Sequence, residues 1–252
     1  MGTYKIIWEP SEIEKAFSIS HHDIAQAMRL FGNQAMDKLR GDLYCPGLFE
    51  VSNPQSLLNI NEYGGIDIPC WVCNEEQKAS STIMIIGESP YRIDDQPLKT
   101  KYLTLGTPYA IQFVDYPDQC WVYKQIFKKL LEEYSLYLTD AYKLWVNNRN
   151  AKHGIMIKTY PHDNYPIIKK EIEQVKPDII VTFGSEARNV VQKLLNNGSK
   201  IRVVHLLHPS QRNNGRWKKV FHVEPWEIPD FVVDFIKQDK GDMFSLLKQQ
   251  QP

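Results

Sequence analysis

The sequence has few cysteines and contains no apolar run long enough to cross a membrane. A membrane-spanning helix needs roughly 18 consecutive apolar residues, and the first residues, 1–5, also lack the apolar core of a signal peptide. We therefore expect a soluble, intracellular protein with no membrane partner. Four cysteines in 252 residues are too few for a disulfide scaffold.

An excess of charge of either sign is also missing. Lysine plus arginine and aspartate plus glutamate number 30 each, so the formal net charge is zero. Overall charge therefore does not indicate a polyanionic partner, and any nucleic-acid surface must come from local clustering of basic residues. The length suits one α/β domain, or a domain with a small appendage, with a substantial core.

The segment 83–92, IMIIGESPYR, is the stretch around which we expect the fold to be organised. Its four leading apolar residues predict a buried strand, which a glycine and a proline end abruptly. Three side chains, Glu88, Ser89 and Tyr91, follow at the carboxyl end of that strand. Ligands of open parallel sheets bind beyond the carboxyl ends of the strands. This corner is therefore a candidate site, although on its own it is also compatible with a plain turn.

Three further segments predict strands, and helical patterns separate them. These strands are expected at 135–143, with Thr139 and Asp140 near its end, at 178–184, and at 201–207, directly before His208. Helices are predicted over 121–134, 165–175, 185–198 and 227–236. This alternation predicts an α/β fold, a three-layer α/β/α sandwich around a central four-stranded parallel sheet. Polar groups gather at the ends of the first, second and fourth strands.

The two ends of the chain differ from this pattern. Residues 1–80 are expected to form a helical and irregular N-terminal extension packed on the core, with one helix capped at Ser20 and ended by Gly41. Residues 241–252 are expected to form a C-terminal tail, whose glutamine-rich end is disordered.

Cys70 and Cys73 form a C-x2-C pair in the N-terminal extension. Two thiolates at this spacing can bind one metal ion, and Cys45 and Cys120 are available to complete a four-cysteine set. A structural zinc ion or iron–sulfur cluster and a pair of ordinary buried thiols both remain open.

Five motifs occur in a recognisable order: GESPY, GTPY, LTDAYK, DIIVTFG and HPSQRN. The set resembles the uracil-DNA glycosylase superfamily, with a framework most similar to the branch that opens with Gly-Glu-Ala-Pro-Gly. The resemblance covers roughly residues 83–214 and implies a catalytic domain over 81–240. It implies a monomer that binds DNA, needs no cofactor and flips a base out of a duplex or single strand, which costs a few kcal/mol. The product is an abasic site, and no lysine matches a nucleophile position, which favours a monofunctional enzyme.

The same resemblance implies roles for single residues. Tyr109 matches the aromatic side chain that stacks on the flipped base, and residue 140 matches the side chain that reads the Watson–Crick edge. His208 matches the group that stabilises negative charge at O2 of the departing base. The resemblance implies DNA contacts for Ser210, Gln211 and Arg212, and local basic clustering adds Lys143, Arg149, Arg216, Lys218 and Lys219.

The sequence departs from the superfamily pattern in the acid that orients the attacking water. Ser89 stands where one branch, whose opening motif shares Tyr91, carries an aspartate, and a serine without a base partner is a poor substitute. Glu88 matches the glutamate of the Gly-Glu-Ala-Pro-Gly branch and is the first candidate, with Asp94 and Asp95 as alternatives. All three acids are also compatible with a solvated acidic turn.

A second departure concerns the iron–sulfur members of that branch. Leu144 and Tyr160 stand where those members carry cysteines. A cluster of the usual pattern is therefore not expected.

The third departure is Asp140, which stands where uracil-specific members carry asparagine. An ionised carboxylate only accepts hydrogen bonds, so it repels uracil O4 and matches the N4 amino group of cytosine. A carboxylic acid whose pKa is raised by burial can also protonate N3 of cytosine and improve this leaving group. Because excision of ordinary cytosine would destroy the host genome, we expect a 5-substituted cytosine of phage DNA, hydroxymethylated or glucosylated, as the target.

Such an enzyme would act in antiviral defence in the cytoplasm of a bacterium or archaeon. Tyr91 argues against it, because the matching tyrosine excludes 5-substituents. Drift at position 140 would leave a uracil-DNA glycosylase of base-excision repair. Loss of the water-orienting acid, suggested by Ser89, would leave an inert DNA-binding module.

Overall fold

The computed structural model describes residues 4–9, 11, 13, 48–50, 63–74, 79, 81–88, 102–106, 108–110, 121–146, 164–195, 199–210, 213–238 and 241–249. The strands in these residues are β1 (Tyr4–Trp8), β2 (Leu48–Glu50), β3 (Tyr63–Asp67), β4 (Cys70–Asn74), β5 (Ser81–Gly87), β6 (Tyr102–Gly106), β7 (Tyr134–Asp140), β8 (Leu144–Val146), β9 (Ile179–Phe183) and β10 (Arg202–Leu206). The helices in these residues are α1 (Trp121–Leu130), α2 (Asn164–Val175), α3 (Ser185–Leu194), α4 (Asn214–Phe221), α5 (Ile228–Lys237) and α6 (Met243–Gln249).

The main sheet has six strands in the order β1-β4-β7-β5-β9-β10. Strands β7, β5, β9 and β10 run parallel to one another, whereas β4 pairs antiparallel with β7 and β1 antiparallel with β4. The predicted four-stranded parallel sheet is therefore confirmed. Two antiparallel strands, which the sequence analysis did not predict, widen it at one edge.

Both faces of this sheet are covered by helices. Successive side chains of a strand point to opposite faces, and in β5 Ile83 and Ile85 pack with Phe127 of α1 while Met84 and Ile86 pack on the other side. The first face also receives residues of α4, α5 and α6, and the second face receives α2 and α3. Each large aliphatic side chain buried in this way contributes about 1.5–3 kcal/mol. The arrangement is the predicted three-layer α/β/α sandwich.

The N-terminal part of the chain contains strands where the sequence analysis expected helical and irregular structure. That expectation is wrong for β1 and β4, which belong to the main sheet, and for β2 and β3. Short strands of this kind are stabilised by partners far away in the sequence, so local patterns reveal them poorly. Ser11 and Ile13 are helical, and the helix expected from Ser20 to Gly41 lies outside the described residues.

A second sheet, in the order β2-β6-β3-β8, holds the segments that flank two candidate site residues. Strand β6 ends three residues before Tyr109, and β8 begins four residues after Asp140. Because β3 and β6 pair in parallel, with Asp67 opposite Gly106, this sheet fixes where the chain enters the turn that carries Tyr109.

Part of the segment that was expected to form a C-terminal tail is helical, from Met243 to Gln249, and the last three residues, 250–252, lie outside the described residues. Met243 is fully buried, and Arg188 of α3 donates a hydrogen bond to Asp242 at 2.7 Å. The backbone N–H of His205 also donates to the carbonyl of Gly241. These contacts attach α6 beside β10, which local composition does not indicate.

Candidate functional site

Three of the predicted functional side chains lie at the same edge of the main sheet. Glu88 follows β5, Asp140 ends β7, and His208 lies two residues beyond β10. Since these strands are parallel, their carboxyl ends meet at one edge. Strands β5 and β9 lie between β7 and β10, so the ends of β7 and β10 are about 14 Å apart at the usual strand spacing. Asp140 and His208 can therefore be connected only through other side chains that lie between them.

Glu88 is held against the N-terminus of α3. The backbone N–H of Glu186 donates to Glu88 Oε1 at 3.2 Å. Gly184, with a φ of 97°, leaves room for this carboxylate, because a Cβ there would lie 2.2 Å from Oε1. Burial raises the pKa of Glu88, and the charge of Glu186 adds to this, while hydrogen bonds from the backbone of Glu186 and Ser185 oppose it. The result is an oriented carboxyl group with raised basicity.

Asp140 and Tyr109 meet above Gly87. A Cβ on Gly87 would lie 2.3 Å from Asp140 Oδ1 and 3.0 Å from the hydroxyl oxygen of Tyr109. Asp140 is 4 % exposed. A side chain at position 87 would therefore displace the two groups, which explains why a glycine ends β5.

Aromatic side chains connect Tyr109 to His208. The rings of Tyr109 and Tyr123 lie 4.8 Å apart, and the Tyr123 hydroxyl lies 2.8 Å from Nδ1 and 3.0 Å from Nε2 of His208. Phe183 packs edge-on against Tyr109 and Tyr123. Asp140, Tyr109, Tyr123 and His208 thus form a continuous line along the edge of the sheet, beside Glu88.

The loop that carries His208 is closed by an asparagine. Asn213 Nδ2 donates to the His208 carbonyl at 2.8 Å, and its backbone N–H donates to the Ser210 carbonyl at 2.9 Å. Helix α4 begins at the next residue and carries exposed Arg216, Lys218 and Lys219. Sequence reasoning assigned no role to Asn213 or Tyr123. A polar side chain in the HPSQRN motif and a tyrosine on the apolar face of α1 were the available signals.

A family model described as the uracil DNA glycosylase superfamily matches residues 74–228, more than half of the chain. The chain belongs to the uracil DNA glycosylase superfamily. A search of the curated proteins found no match. Membership suggests DNA glycosylase activity and DNA as the partner, and glycosylases of the superfamily need no cofactor for catalysis. Among the helices that the structure describes, none combines the length and the hydropathy of a membrane span.

The position of Lys143 does not fit the contact to DNA phosphate that the sequence analysis predicted. Its side chain is fully buried, and its Nζ donates to both carboxylate oxygens of Glu171 at 2.9 Å and to the Thr139 hydroxyl. Thr139 Oγ1 also donates to Glu171 at 3.1 Å. The network ties the segment after β7 to helix α2, so Lys143 supports the backbone that carries Asp140.

We expect Lys143→Met to lower the free energy of unfolding by about 3–5 kcal/mol, because it leaves the Glu171 carboxylate buried without its counter-ion. Urea denaturation followed by circular dichroism measures this. The double variant Lys143→Met/Glu171→Met, which removes both charges, should recover most of the loss. Equal stability of Lys143→Met and the wild type would contradict a structural role for this pair.

The geometry of Cys70 and Cys73 does not fit a shared metal ion. Both lie in β4, where residues three apart point to opposite faces of the sheet. Cys70 is buried in the cluster on the α1 face, and burial raises the pKa of its thiol, with the carboxylates of Asp67 and Asp140 adding to this. No group of three or more histidine, cysteine or acidic side chains suited to a metal occurs among the described residues. The C-x2-C spacing therefore places the two thiols on opposite faces of β4, where they cannot bind one metal ion together.

Several predicted site residues are not among those that the structure describes. Of the remaining predicted DNA contacts, Ser210 is half-buried in the loop after His208, and Arg216 is exposed on α4. The candidates outside the described residues are Ser89, Tyr91, Asp94, Asp95, Arg149, Gln211 and Arg212, together with Cys45 and Cys120.

Proposed function

We propose that this chain is a monofunctional DNA glycosylase that flips a pyrimidine out of DNA and hydrolyses its N-glycosidic bond. One observation carries the proposal: the carboxyl groups of Glu88 and Asp140 and the imidazole of His208 lie at one sheet edge, where Tyr109 and Tyr123 connect Asp140 to His208.

The reaction needs one water molecule. Its oxygen attacks C1′ of the deoxyribose, the C1′–N1 bond breaks, and the bonding electron pair moves into the base. The proton that water loses passes to the Glu88 carboxylate, whose raised pKa makes it a better base. The departing base leaves as an anion and takes a proton from solvent. His208 donates a hydrogen bond to O2 of that anion, the oxygen on which charge accumulates.

Asp140 favours a cytosine-type base over uracil. Its carboxylate is buried beside Gly87, where an ionised carboxylate accepts from the N4 amino group of cytosine but repels O4 of uracil. A cytosine substituted at position 5, as in hydroxymethylated or glucosylated phage DNA, is the substrate that spares the host genome. The biological role we propose is therefore defence against phage.

The DNA would lie across this same sheet edge. Exposed Arg216 on α4 and the half-buried Ser210 follow His208 in the chain and are suited to phosphate contacts. Arg149, Gln211 and Arg212 complete the proposed surface, the last two entering the helix where the base has left.

A duplex-oligonucleotide panel tests the proposal. Labelled duplexes with uracil, cytosine, 5-methylcytosine, 5-hydroxymethylcytosine or its glucosylated form are incubated with the protein and treated with alkali, which cleaves abasic sites. We expect cleavage at 5-hydroxymethylcytosine, at its glucosylated form, or at both. Cleavage at uracil alone would overturn the assignment to cytosine and indicate a uracil-DNA glycosylase of base-excision repair. Binding without cleavage of any duplex would indicate an inert DNA-binding module.

Asp140→Asn is expected to shift the preference toward uracil by about 10- to 100-fold, because a well-placed pair of hydrogen bonds discriminates bases by about 1–3 kcal/mol. An amide donates to O4 and accepts from N3–H, whereas the carboxylate only accepts. The ratio of kcat/KM for uracil and for the best cytosine of the panel measures the shift. Asp234→Asn on the exposed side of α5 is the matched control and should leave this ratio unchanged.

A further inference from the structure

The hydroxyl of Tyr109 is buried and has no hydrogen-bond partner among the described residues. A buried hydroxyl that is left unsatisfied costs about 1–3 kcal/mol, so a structure retains one chiefly where a ligand or water completes it. The catalytic scheme above uses Glu88, Asp140 and His208 and assigns this hydroxyl nothing.

The ring of Tyr109 is already engaged on several sides. Tyr123 lies against it with ring centroids 4.8 Å apart, and Phe127 and Phe183 contact it edge-on at 5.1 and 6.0 Å. The backbone at Tyr109 has a φ of 60°, which is unusual for a bulky residue. Such outliers persist where the surroundings impose them and cluster at functional sites. The packing and the backbone together direct the hydroxyl toward the end of β5.

At the end of β5 the hydroxyl and the Asp140 carboxylate stand side by side. Tyr109 Oη and Asp140 Oδ1 lie 3.0 and 2.3 Å from one point, the position of a Cβ on Gly87, so they are at most 5.3 Å apart. One is a donor and the other an acceptor when ionised. Together they present the donor and acceptor that an asparagine amide would offer alone, and the edge of cytosine carries the complementary pair, acceptor N3 and donor N4.

We propose that the Tyr109 hydroxyl donates a hydrogen bond to N3 of the flipped cytosine while Asp140 accepts one from its N4 amino group. This assignment rests on the proposed function and deepens it. Negative charge that enters the ring when the C1′–N1 bond breaks is shared between O2 and N3. Tyr109 therefore stabilises the leaving group at N3, as His208 does at O2. The hydroxyl keeps its proton throughout, and no bond other than C1′–N1 breaks in the base.

The protonation state of Tyr109 suits this role. Burial raises its pKa well above the ordinary value for tyrosine, and the negative charge of Asp140 adds to the effect. The phenol is therefore neutral and remains a donor over the working pH range. Because Tyr109 supplies the hydrogen-bond donor to N3, Asp140 does not have to be protonated and can act as an acceptor.

A chemical double-mutant cycle tests the assignment. Wild type and Tyr109→Phe are compared in single-turnover excision of 5-hydroxymethylcytosine and of its 3-deaza analogue, in which C–H replaces N3. We expect Tyr109→Phe to slow excision of the natural base by about 5- to 100-fold, the range for loss of one member of a buried hydrogen-bonded pair. The two proteins should excise the 3-deaza base at equal rates. Equal slowing of both bases would overturn the contact to N3, because a purely structural defect does not depend on that atom.

Two controls separate this inference from the proposed function. Tyr134→Phe removes a tyrosine hydroxyl at the opposite end of β7 and should leave both rates unchanged. Wild type that excises no cytosine of the panel would overturn the proposed function, and this inference with it. Wild type that excises 5-hydroxymethylcytosine at the same rate as Tyr109→Phe would overturn the inference alone.

Discussion

Glu88→Gln should slow base excision by about 10²- to 10⁴-fold, the contribution expected of a positioned general base. Glutamine retains the size of the side chain, the contact above Gly184 and an oxygen that accepts from the Glu186 backbone. It cannot accept the proton that the attacking water loses. Single-turnover excision of the best panel substrate measures the loss, and DNA affinity should change little.

The pH dependence of the same reaction offers an independent check. Only the carboxylate form of Glu88 accepts a proton, so excision should rise with pH through its pKa and be lost below it. Burial raises that pKa, so this limb should lie above the pH at which an ordinary glutamate titrates. Glu186→Gln removes a charge that contributes to the increase and should move the limb to lower pH.

A matched substitution shows whether the loss is specific to the site. Glu173 is exposed on α2, and its Oε1 lies 3.9 Å from Nζ of Lys169. The Glu173→Gln variant should excise the base at the wild-type rate. Wild-type excision by Glu88→Gln would exclude Glu88 as the base and return attention to Asp94 and Asp95.

His208→Phe is expected to reduce the rate of excision by about 10²- to 10³-fold, the usual cost of removing one donor from a developing anion, because phenylalanine keeps a ring but cannot donate a hydrogen bond. The effect should lie in the chemical step and not in binding, because O2 gains its charge only as the C1′–N1 bond breaks. Rates at saturating protein, together with fluorescence anisotropy on abasic DNA, separate the two contributions.

Tyr123 holds the imidazole, so Tyr123→Phe should give a smaller loss of the same kind, through misplacement of His208. His222→Asn is the control, since His222 is exposed at the end of α4 with a φ of 55° that asparagine tolerates. If His208→Phe excised as fast as this control, the charge at O2 would have to be stabilised by another group.

Much of the α/β core could be predicted from local pattern. The apolar run 83–86 and the segments 178–184 and 201–207, which are rich in β-branched residues, indicate buried strands. Since parallel strands place their carboxyl ends at one edge, Glu88, Asp140 and His208 were expected to gather there, and they lie at that edge. The order of the motifs also indicated the superfamily, which the match over residues 74–228 confirms.

The predictions for Lys143 and for the two cysteines of β4 do not fit the structure for one physical reason. The surroundings of a side chain are formed by residues that are distant in the sequence. Lys143 is a basic residue of the kind that contacts DNA phosphate, but in the structure it forms a buried ion pair with Glu171 of α2. Cys70 and Cys73 have the spacing of metal ligands, but pairing of β4 with β7 places them on opposite faces.

The amino-acid sequence therefore established the class of fold, the four parallel strands, and the presence of Glu88, Asp140 and His208 at the strand ends. These features depend on apolar runs and on the residues that follow them. Folding in three dimensions settled the rest. It placed Tyr123 against His208, Gly184 beneath Glu88, and the Tyr109 hydroxyl beside Asp140. The hydrogen bond between Tyr123 and His208 joins side chains 85 positions apart, and only packing of separate strands and helices can bring such groups into contact.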